Sequence, residues 1–283
     1  MLINMKNILA NAKKGKYAIP QFNINNLEWT KFILEECNNL NTPVILGVSE
    51  GASKYMGGYK VVTNMVNALI ETLGITIPVV IHLDHGTSLE SCKEAIDSGF
   101  TSVMIDASKF NLEENIKITR EVVEYAKEKN VSVEAEIGHI GGNEDGVIGG
   151  ILYADKEECK MLVKETGIDT LAPALGSAHG LYKGEPKLKF NLMKEISEET
   201  NLPLVLHGGT GIPDYQIKEA INCGTCKINL NTELQVAWAK GVRELLDNNK
   251  EVYDPRKIIK AGEQNIKNVI KEKVNLLGSL NKK

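Results

Sequence analysis

One aspartate and three histidines are the residues with the clearest chemical potential in this chain. Asp84 and His85 are neighbours in the segment HLDHG, at the end of an apolar run that starts at Pro78. His179 and His207 each follow another short apolar run, much further along the chain. Three imidazoles with an open position are a common ligand set of catalytic zinc, and a carboxylate beside them can carry a proton. These residue types predict a metal-assisted site, whereas hydrogen bonding at a strand end is the alternative role for any single one of them.

The elements that must position these residues are eight short apolar runs, each followed by a longer amphipathic segment. We predict strands at residues 17–23, 43–49, 78–85, 102–107, 132–138, 170–176, 203–208 and 226–232. The helical patterns lie at residues 27–40, 59–73, 88–98, 112–129, 156–166, 191–200, 214–222 and 233–247. Eight alternations of strand and helix are typical of the α/β class, and here they indicate a single (β/α)₈ TIM barrel.

The C-terminal residues 254–277 predict one or two extra helices outside the barrel. We find no linker or low-complexity tract, so we expect one TIM-barrel domain over residues 1–283. A doubly wound open sheet is the alternative fold. Such a sheet would carry a glycine-rich dinucleotide loop after its first strand, and the segment QFNINN at 21–26 contains no glycine.

Composition limits the partners and the cellular location that this sequence suggests. The formal net charge is −4 and the lysines are scattered, so there is no basic stripe for nucleic acid. No apolar stretch approaches the roughly 20 residues of a membrane-spanning helix. Five cysteines, an odd number, indicate free thiols in a reducing compartment, and we expect a cytoplasmic protein. Cys223 and Cys226 form a lone CxxC that predicts a glycine turn before a strand, although its sensitivity to oxidation stays open.

Polar residues occupy the carboxyl ends of most predicted strands, which is where barrel enzymes build their active sites. They are Asn23, Ser49, Asp84 with His85, Asp106, Glu136, His179, His207, and Asn229 with Asn231. Strand capping explains any one of these residues but not the whole set. His82 shares the alternation of Asp84 and lies lower in the barrel, so we expect it to be a hydrogen-bonded core residue.

Three glycine-rich or small-residue segments predict binding loops. HGGTG at 207–211 and NLNT at 229–232 offer hydroxyls and free backbone N–H groups after strands seven and eight. Loops at these two positions frequently hold phosphate in barrels of this kind. The glycine-rich segment 137–154 is longer than the other links from strand to helix, and such segments often close over a substrate.

Several motifs of this chain resemble those of the class II, zinc-dependent fructose-1,6-bisphosphate and tagatose-1,6-bisphosphate aldolases. The motifs are HLDHG (82–86), GSAHG (176–180), HGGTG (207–211), KINLNT (227–232) and VSEGASKYMGG (48–58). The resemblance runs in order through nearly the whole chain. It implies a TIM-barrel lyase of glycolysis that reversibly cleaves a ketose 1,6-bisphosphate to dihydroxyacetone phosphate and glyceraldehyde 3-phosphate. It also implies a homodimer or homotetramer.

For the reaction itself, the resemblance implies roles for five residues. His85, His179 and His207 correspond to the ligands of the catalytic zinc. Asp84 corresponds to the acid and base at the hydroxyl of the carbon being cleaved, and Glu144 to the carboxylate that moves the proton on carbon. The chemistry is consistent, because cleavage beside a ketone leaves a carbanion that a metal on the neighbouring oxygens can stabilise.

For further ligands and for the substrate, the resemblance implies a longer set of positions. Asp106 and Glu136 correspond to ligands of a second divalent metal, and a monovalent cation, Na⁺ or K⁺, is implied near the phosphate loops. Arg256 resembles an arginine that reaches the far phosphate of a neighbouring subunit. The other implied substrate-binding residues are Asn23, Ser49, Gly180, Gly208, Gly209, Thr210, Asn229, Leu230, Asn231 and Thr232.

Three alternatives to this function can be weighed on single residues. A Schiff-base lysine needs no metal, but Lys227, the only lysine within a predicted strand, lies at the start of that strand and is expected far from the catalytic end. Asn231 resembles fructose-type sequences more than the Ala-bearing tagatose type, so we predict fructose and keep tagatose as the alternative. A non-catalytic sugar-phosphate-binding subunit should have lost metal ligands or the acid, and this chain keeps them.

Overall fold

Eight parallel strands close into a barrel in the computed structural model. The structure describes residues 2–144, 147–150, 152–182 and 184–283. At residues 143–144 and 147–149 it describes the backbone alone. The described strands are β1 (Ile19–Asn23), β2 (Val44–Ser49), β3 (Val79–Gly86), β4 (Ser102–Ile105), β5 (Ser132–Ile137), β6 (Gly141–Glu144), β7 (Val147–Gly149), β8 (Thr170–Pro173), β9 (Ala178–His179), β10 (Leu204–Leu206) and β11 (Thr225–Leu230). The order around the barrel is β1, β11, β10, β8, β5, β4, β3 and β2. The predicted (β/α)₈ barrel is therefore confirmed.

The helices surround the barrel, and six of the twelve described ones begin at a side chain that caps them. They are α1 (Lys6–Gly15), α2 (Leu27–Asn39), α3 (Glu50–Met56), α4 (Tyr59–Thr72), α5 (Leu89–Asp97), α6 (Leu112–Glu128), α7 (Lys156–Thr166), α8 (Phe190–Thr200), α9 (Asp214–Asn222), α10 (Thr232–Asn248), α11 (Pro255–Lys260) and α12 (Glu263–Leu277). Asn26, Ser88 and Asn111 each accept a hydrogen bond from the backbone N–H three residues on, which satisfies one donor at the helix start.

Two helices, α1 and α3, lie outside the predicted pattern. The apolar face of α1 is short and lies between lysines, so its periodicity is weak in the sequence. The ammonium of Lys13, which looks like a surface charge in the sequence, donates to the carbonyl oxygens of Ser197 and Leu202, at 3.4 and 3.2 Å. These bonds tie α1 to the end of α8, where cations interact favourably with the helix C-terminus.

The glycine-rich segment 137–154 contains ordered pairing where the sequence predicts only a long loop. Strands β6 and β7 form an antiparallel hairpin, and β6 also runs parallel to β9. This small sheet lies beside the barrel and includes His179 in β9. The segment therefore contacts the backbone of one of the predicted metal ligands.

The barrel interior changes from apolar to charged along its axis. At the amino-terminal ends of the strands, Ile19, Ile45 and Val80 pack in one apolar cluster with Met5 and Leu9 from the α1 region. The next level contains three fully buried ionisable side chains, those of His82, Glu134 and Lys227. The polar strand ends of the site lie above that level. Because α1 covers the apolar end, the charged level is shielded from water on that side.

The predicted extra C-terminal structure, one or two helices, is confirmed and consists of two helices, α11 and α12. Helix α12 packs against α2 and α10. Lys267 of α12 donates to Glu35 of α2 at 2.8 Å and to Glu263 one turn earlier at 2.6 Å. No helix in the described part of the chain is both long enough and apolar enough to span a membrane.

Candidate active site

A register shift at the end of β3 brings two consecutive side chains to the same side of the sheet. Residues alternate between the two faces of a strand, so Asp84 and His85 would ordinarily point apart. The pairing of β3 with β4 shifts between Leu83 and Gly86, and His85 has a positive φ of 53°. A bulge of this kind redirects a side chain, and here the His85 ring lies 5.1 Å from the ring of His179. Both residues of the DH pair therefore reach the site.

The three predicted imidazoles meet at the carboxyl end of the barrel. One ring nitrogen from each of His85, His179 and His207 lies within 4.8 Å of the others. His85 Nε2 and His207 Nδ1 are 2.9 Å apart. Tetrahedral zinc with bonds of about 2.0–2.1 Å places its ligand nitrogens roughly 3.4 Å apart, so small side-chain movements would accommodate the ion. The donor set therefore fits zinc.

Two of the three predicted ligands, His85 and His207, each have a carboxylate beside a second ring nitrogen. His85 Nδ1 lies 2.9 Å from Asp106 Oδ2, and His207 Nε2 lies 3.0 Å from Glu134 Oε1. Although burial opposes it, the hydrogen bond from His85 holds the pKa of Asp106 below its ordinary value. Metal-binding histidines usually have such partners, which orient the ring. The sequence prediction includes Asp106 as a metal ligand but omits Glu134.

Lys227 lies closer to the site than the sequence suggests. Its Nζ donates to both oxygens of Glu134, at 2.8 and 3.1 Å, and both side chains are fully buried. Glu134 alone therefore separates this ammonium from His207, one of the predicted metal ligands. Burial opposes the charge of Glu134, but Lys227 holds the pKa of this carboxyl below its usual range. His82 lies 3.7 Å from the same carboxylate and, as expected for a core residue, shares a hydrogen bond with Ser102.

Three amide side chains hold Asp84 in place. Gln21 Nε2 and Asn23 Nδ2 donate to Oδ2, at 2.9 and 3.0 Å. Asn229 Nδ2 donates to Oδ1 at 3.3 Å. The aspartate is 1% exposed, so these bonds replace the water that an isolated buried carboxylate would need. Gln21 is absent from the sequence prediction, although it shares the strand face of Asn23.

Asp106 and Glu136 form a second group with His85, again with ligand atoms within 4.8 Å. Glu136 is buried, and its Oε2 has no hydrogen-bond partner among the described residues. Burial, and then the nearby charge of Asp106, raise the pKa of Glu136 well above its ordinary value. A cation between the two carboxylates would relieve both effects, so these residues fit a second metal ion.

Two cavities adjoin the imidazoles, and Asp84 and His179 line both of them. The smaller cavity, of about 150 Å³, lies over the two predicted phosphate loops. The larger one, of about 480 Å³, is lined by Ser49, Asp106 and Glu136 among others. A phosphorylated small molecule that extended from one cavity to the other would therefore pass the predicted metal ligands and Asp84.

Most of the predicted substrate-binding residues line the smaller cavity. They are Asn23, Gly180, Gly208, Thr210, Asn229, Asn231 and Thr232, and they are joined by Gln235. The side-chain oxygens of Asn229 and Asn231 are buried and accept no hydrogen bond within the described chain. They are suited to accept hydrogen bonds from hydroxyl groups of a ligand.

Three predicted substrate-binding residues lie outside both cavities. Leu230 packs in the main hydrophobic core, so its side chain faces away from the site. The backbone N–H of Gly209 donates to the carbonyl of Asn229 at 3.0 Å, which removes this donor from a ligand. Arg256 lies at the start of α11, is 89% exposed and pairs with Asp254. Within one subunit it is therefore not part of the site.

The backbone of the glycine-rich segment reaches the site. Gly142 pairs with His179 in the small sheet, and its φ is 102°. A Cβ atom at Gly142 would lie 2.2 Å from the carbonyl oxygen of His179, so only glycine permits this approach. Glu144 follows two residues later at the end of β6. The side chain of Glu144 lies outside the described part of the structure.

Tyr182 connects two loops of the site. The Tyr182 hydroxyl accepts from the backbone N–H of Ala178 at 2.8 Å and donates to the carbonyl of Gly208 at 2.9 Å, which joins the loops that carry His179 and His207. No sequence pattern marks this tyrosine.

Cys226, whose sensitivity to oxidation the sequence leaves open, is 1% exposed and lies outside both cavities. Burial raises the pKa of its thiol to about 12, so the thiol has little thiolate character.

A parallel barrel that gathers three imidazoles and a held carboxylate at the carboxyl ends of its strands is typical of metal-dependent barrel enzymes. Comparison with known proteins makes the class specific. Residues 3–282 match the family model described as fructose-bisphosphate aldolase class-II. The chain belongs to the class-II fructose-bisphosphate aldolase family, an enzyme family of metal-dependent aldehyde-lyases.

Individual relatives agree with this assignment over their full length. A protein named fructose-bisphosphate aldolase from Geobacillus stearothermophilus is 61% identical over 99% of this chain and 98% of its own. One of the same name from Staphylococcus aureus strain Mu50 is 60% identical over 99% of both chains. The crystal structure of the YdjI aldolase from Escherichia coli K12 superposes with a TM-score of 0.88, at 33% identity, over 100% of this chain and 99% of that chain.

The bulge at the end of β3 can be tested by Gly86→Ala. A Cβ atom at this position would lie 2.7 Å from the carbonyl oxygen of Met104 and 2.8 Å from the side chain of Leu83. We expect the free energy of unfolding to fall by about 1–3 kcal/mol, because the crowded backbone must move. Metal affinity should fall as well, since His85 is the preceding residue. Urea denaturation and zinc titration measure the two effects.

Gly184→Ala is the matched control for Gly86→Ala, because a Cβ atom at Gly184 would lie more than 4 Å from the other described residues outside its chain neighbours. This control should leave both the free energy of unfolding and the zinc affinity close to those of the unmodified protein. Wild-type stability and wild-type zinc affinity in Gly86→Ala would show that the bulge does not need this glycine.

Proposed function

We propose that the protein cleaves D-fructose 1,6-bisphosphate reversibly into dihydroxyacetone phosphate and D-glyceraldehyde 3-phosphate, with zinc held by His85, His179 and His207. The observation that carries this proposal is the position of the three imidazoles and Asp84 between two cavities. The two relatives named above have the same printed name, and they support this substrate. When bound, zinc would polarise the ketone and hydroxyl oxygens and stabilise the negative charge that cleavage leaves on carbon.

We propose that Asp84 takes the proton from the hydroxyl group on the carbon that becomes the aldehyde. Loss of this proton lets the oxygen form a carbonyl as the adjacent carbon–carbon bond breaks. The three amides around Asp84 fix the carboxylate, so it needs no reorganisation during the reaction. In the direction of synthesis, the same carboxyl returns the proton.

The second proton transfer is proposed for Glu144. The bond that breaks leaves an electron pair on the carbon of the dihydroxyacetone phosphate half, and an acid must protonate that carbon. The backbone of Glu144 lies two residues beyond the glycine that pairs with His179. The protonated carboxyl group of Glu144 would donate this proton, and in the direction of synthesis its carboxylate would remove it. The segment would also limit access of water.

The two ends of the substrate are assigned to the two cavities. We place the phosphate of the dihydroxyacetone phosphate half in the smaller cavity, where Gly208, Thr210 and the start of α10 offer small residues, a hydroxyl and a positive helix end. The other half is placed in the larger cavity, whose lining includes Ser49 and the ammonium-bearing Lys109. The positive charge of Lys109 would balance part of the negative charge of the second phosphate.

Further ions and assembly complete the proposal. Asp106 and Glu136 would hold a second divalent metal, and Na⁺ or K⁺ would bind near the phosphate loops. A second metal that used His85 Nδ1 would have to break the 2.9 Å contact between His85 and Asp106. We also propose a homodimer or homotetramer in the cytoplasm, where the five free cysteines would stay reduced.

Metal and substrate are tested together by measuring cleavage of fructose 1,6-bisphosphate and tagatose 1,6-bisphosphate before and after exhaustive chelation. We expect chelated protein to lose activity with both sugars and zinc to restore it, with a higher kcat/KM for the fructose substrate. Zinc, cobalt, manganese and magnesium should be compared for the restoration. Full activity after chelation, with no metal found by elemental analysis, would exclude the metal role, and a higher kcat/KM for tagatose would exclude the fructose preference.

The two proton-transfer roles predict different partial reactions for Asp84→Asn and Glu144→Gln. Both variants should lower kcat for cleavage by about 10²–10⁴-fold, as expected when a general acid or base is lost. Exchange of a C–H hydrogen of dihydroxyacetone phosphate with D₂O, followed by NMR, separates them. Asp84→Asn should retain this exchange, and Glu144→Gln should lose it. The opposite pattern would reverse the two assignments.

The proposed role of Arg256 in a neighbouring subunit can be tested by mixing two inactive variants. Asp84→Asn and Arg256→Met would each be nearly inactive alone. In a hybrid dimer, one site would combine an intact Asp84 with an intact Arg256 from the other subunit, so mixing after dissociation should restore activity. No restoration, in hybrids verified by native mass spectrometry, would mean that Arg256 does not complete a neighbouring site.

A further inference from the structure

We infer that Glu134, held by Lys227, is a positioning residue that fixes the tautomer of His207, so that Nδ1 of this histidine is the atom presented to the metal. This inference rests on the proposed metal role of His207. It concerns two residues that lie outside both cavities and that have no role in the proposed reaction.

The two nitrogens of His207 face chemically opposite partners. Nε2 lies 3.0 Å from Glu134 Oε1, and an ionised carboxylate can only accept a hydrogen bond. Nδ1 lies 3.2 Å from Nδ2 of Asn229, and an amide nitrogen can only donate. Both contacts require the hydrogen on Nε2 and the lone pair on Nδ1. The atom that carries the lone pair lies 2.9 Å from Nε2 of His85, where the three imidazoles meet.

Lys227 determines which way the carboxylate of Glu134 can face. Its ammonium donates to both oxygens, at 3.1 Å to Oε1 and 2.8 Å to Oε2. Oε1 is thereby left directed to His207. All three charged or ring-bearing groups, Glu134, Lys227 and His207, have side chains that are 0% exposed, so water cannot substitute for any of these bonds. A buried ion pair with one spare acceptor is therefore built against a proposed metal ligand.

The tautomer can be read directly in the unmodified, zinc-loaded protein. Two-bond ¹H–¹⁵N correlation spectra of protein labelled at histidine distinguish a ring with hydrogen on Nε2 from one with hydrogen on Nδ1. The His207 signals are assigned by their absence in His207→Gln. We expect hydrogen on Nε2 and metal on Nδ1. Hydrogen on Nδ1 of His207 would overturn the inference, and this measurement does not depend on any Glu134 variant folding.

The contribution of the carboxylate is measured by zinc affinity in Glu134→Gln and in the double variant Glu134→Leu/Lys227→Met. The double variant removes the acceptor and the ammonium together, so no unpaired charge stays buried. Competition with a chromophoric chelator should show zinc binding weakened about 10–100-fold in both, the usual effect of losing such a partner. Circular dichroism establishes that the measured protein is folded.

Thr170→Val is the matched control, because it removes a buried hydrogen bond to the other oxygen of Glu134 and keeps the side-chain shape. It should bind zinc as tightly as the unmodified protein. If folded Glu134 variants also bind zinc as tightly, while His207→Gln does not, Glu134 is only a structural residue and the inference is wrong. If His207→Gln itself binds zinc normally, the proposed metal role of His207 fails first.

Discussion

The alternation of side chains along a β-strand is the constraint on which this site depends. Consecutive residues of a regular strand face opposite sides, yet the site requires both Asp84 and His85. The register shift before Gly86 and the positive φ of His85 solve this conflict, at a cost of about 1–3 kcal/mol for the unusual backbone. Because Gly86 lies against the carbonyl of Met104, the packing of β4 holds the bulge in place. The chemistry of the DH pair is thus made by backbone geometry.

Below the imidazoles, buried polar groups contact the predicted metal ligands, although apolar side chains would fill this part of the barrel more simply. A buried ion pair such as that of Glu134 and Lys227 contributes little net stability, because desolvation offsets its attraction. The pair is suited instead to orienting a side chain, since a carboxylate that is hydrogen-bonded on several sides can fix the orientation of the imidazole ring that it contacts. The amides around Asp84 act in the same way. The interior is therefore organised to fix the orientations of the site residues.

The fold and the clustering of the three histidines could be predicted because both depend on patterns that the sequence displays. Eight alternating runs give the barrel, and three histidines at strand ends give the cluster. The partners of those residues also carried a signal, since Glu134 shares the strand face of Glu136 and Lys227 shares that of Asn229. Interpreting Lys227 by its distance from the strand end, without the reach of its long side chain, placed it too far from the site.

Other features could not be predicted because they depend on contacts between distant segments. Tyr182 joins two loops through a single hydroxyl, and the pairing of β6 with β9 is made by backbone atoms of glycine and histidine. Neither contact needs a recognisable sequence motif. Helix α1 is a similar case. It has few apolar residues, and their role is apparent only from the strands against which they pack.

Among the described residues, that helix closes the amino-terminal end of the barrel. Met5 and Leu9 lie against the amino-terminal ends of the strands, while both cavities open at the other end. In the described part of the chain, a substrate and its products would then enter and leave at the carboxyl ends of the strands. Engineering of the N-terminus is for this reason an intervention in the electrostatics of the interior, because deletion of α1 would admit water to the level of Lys227.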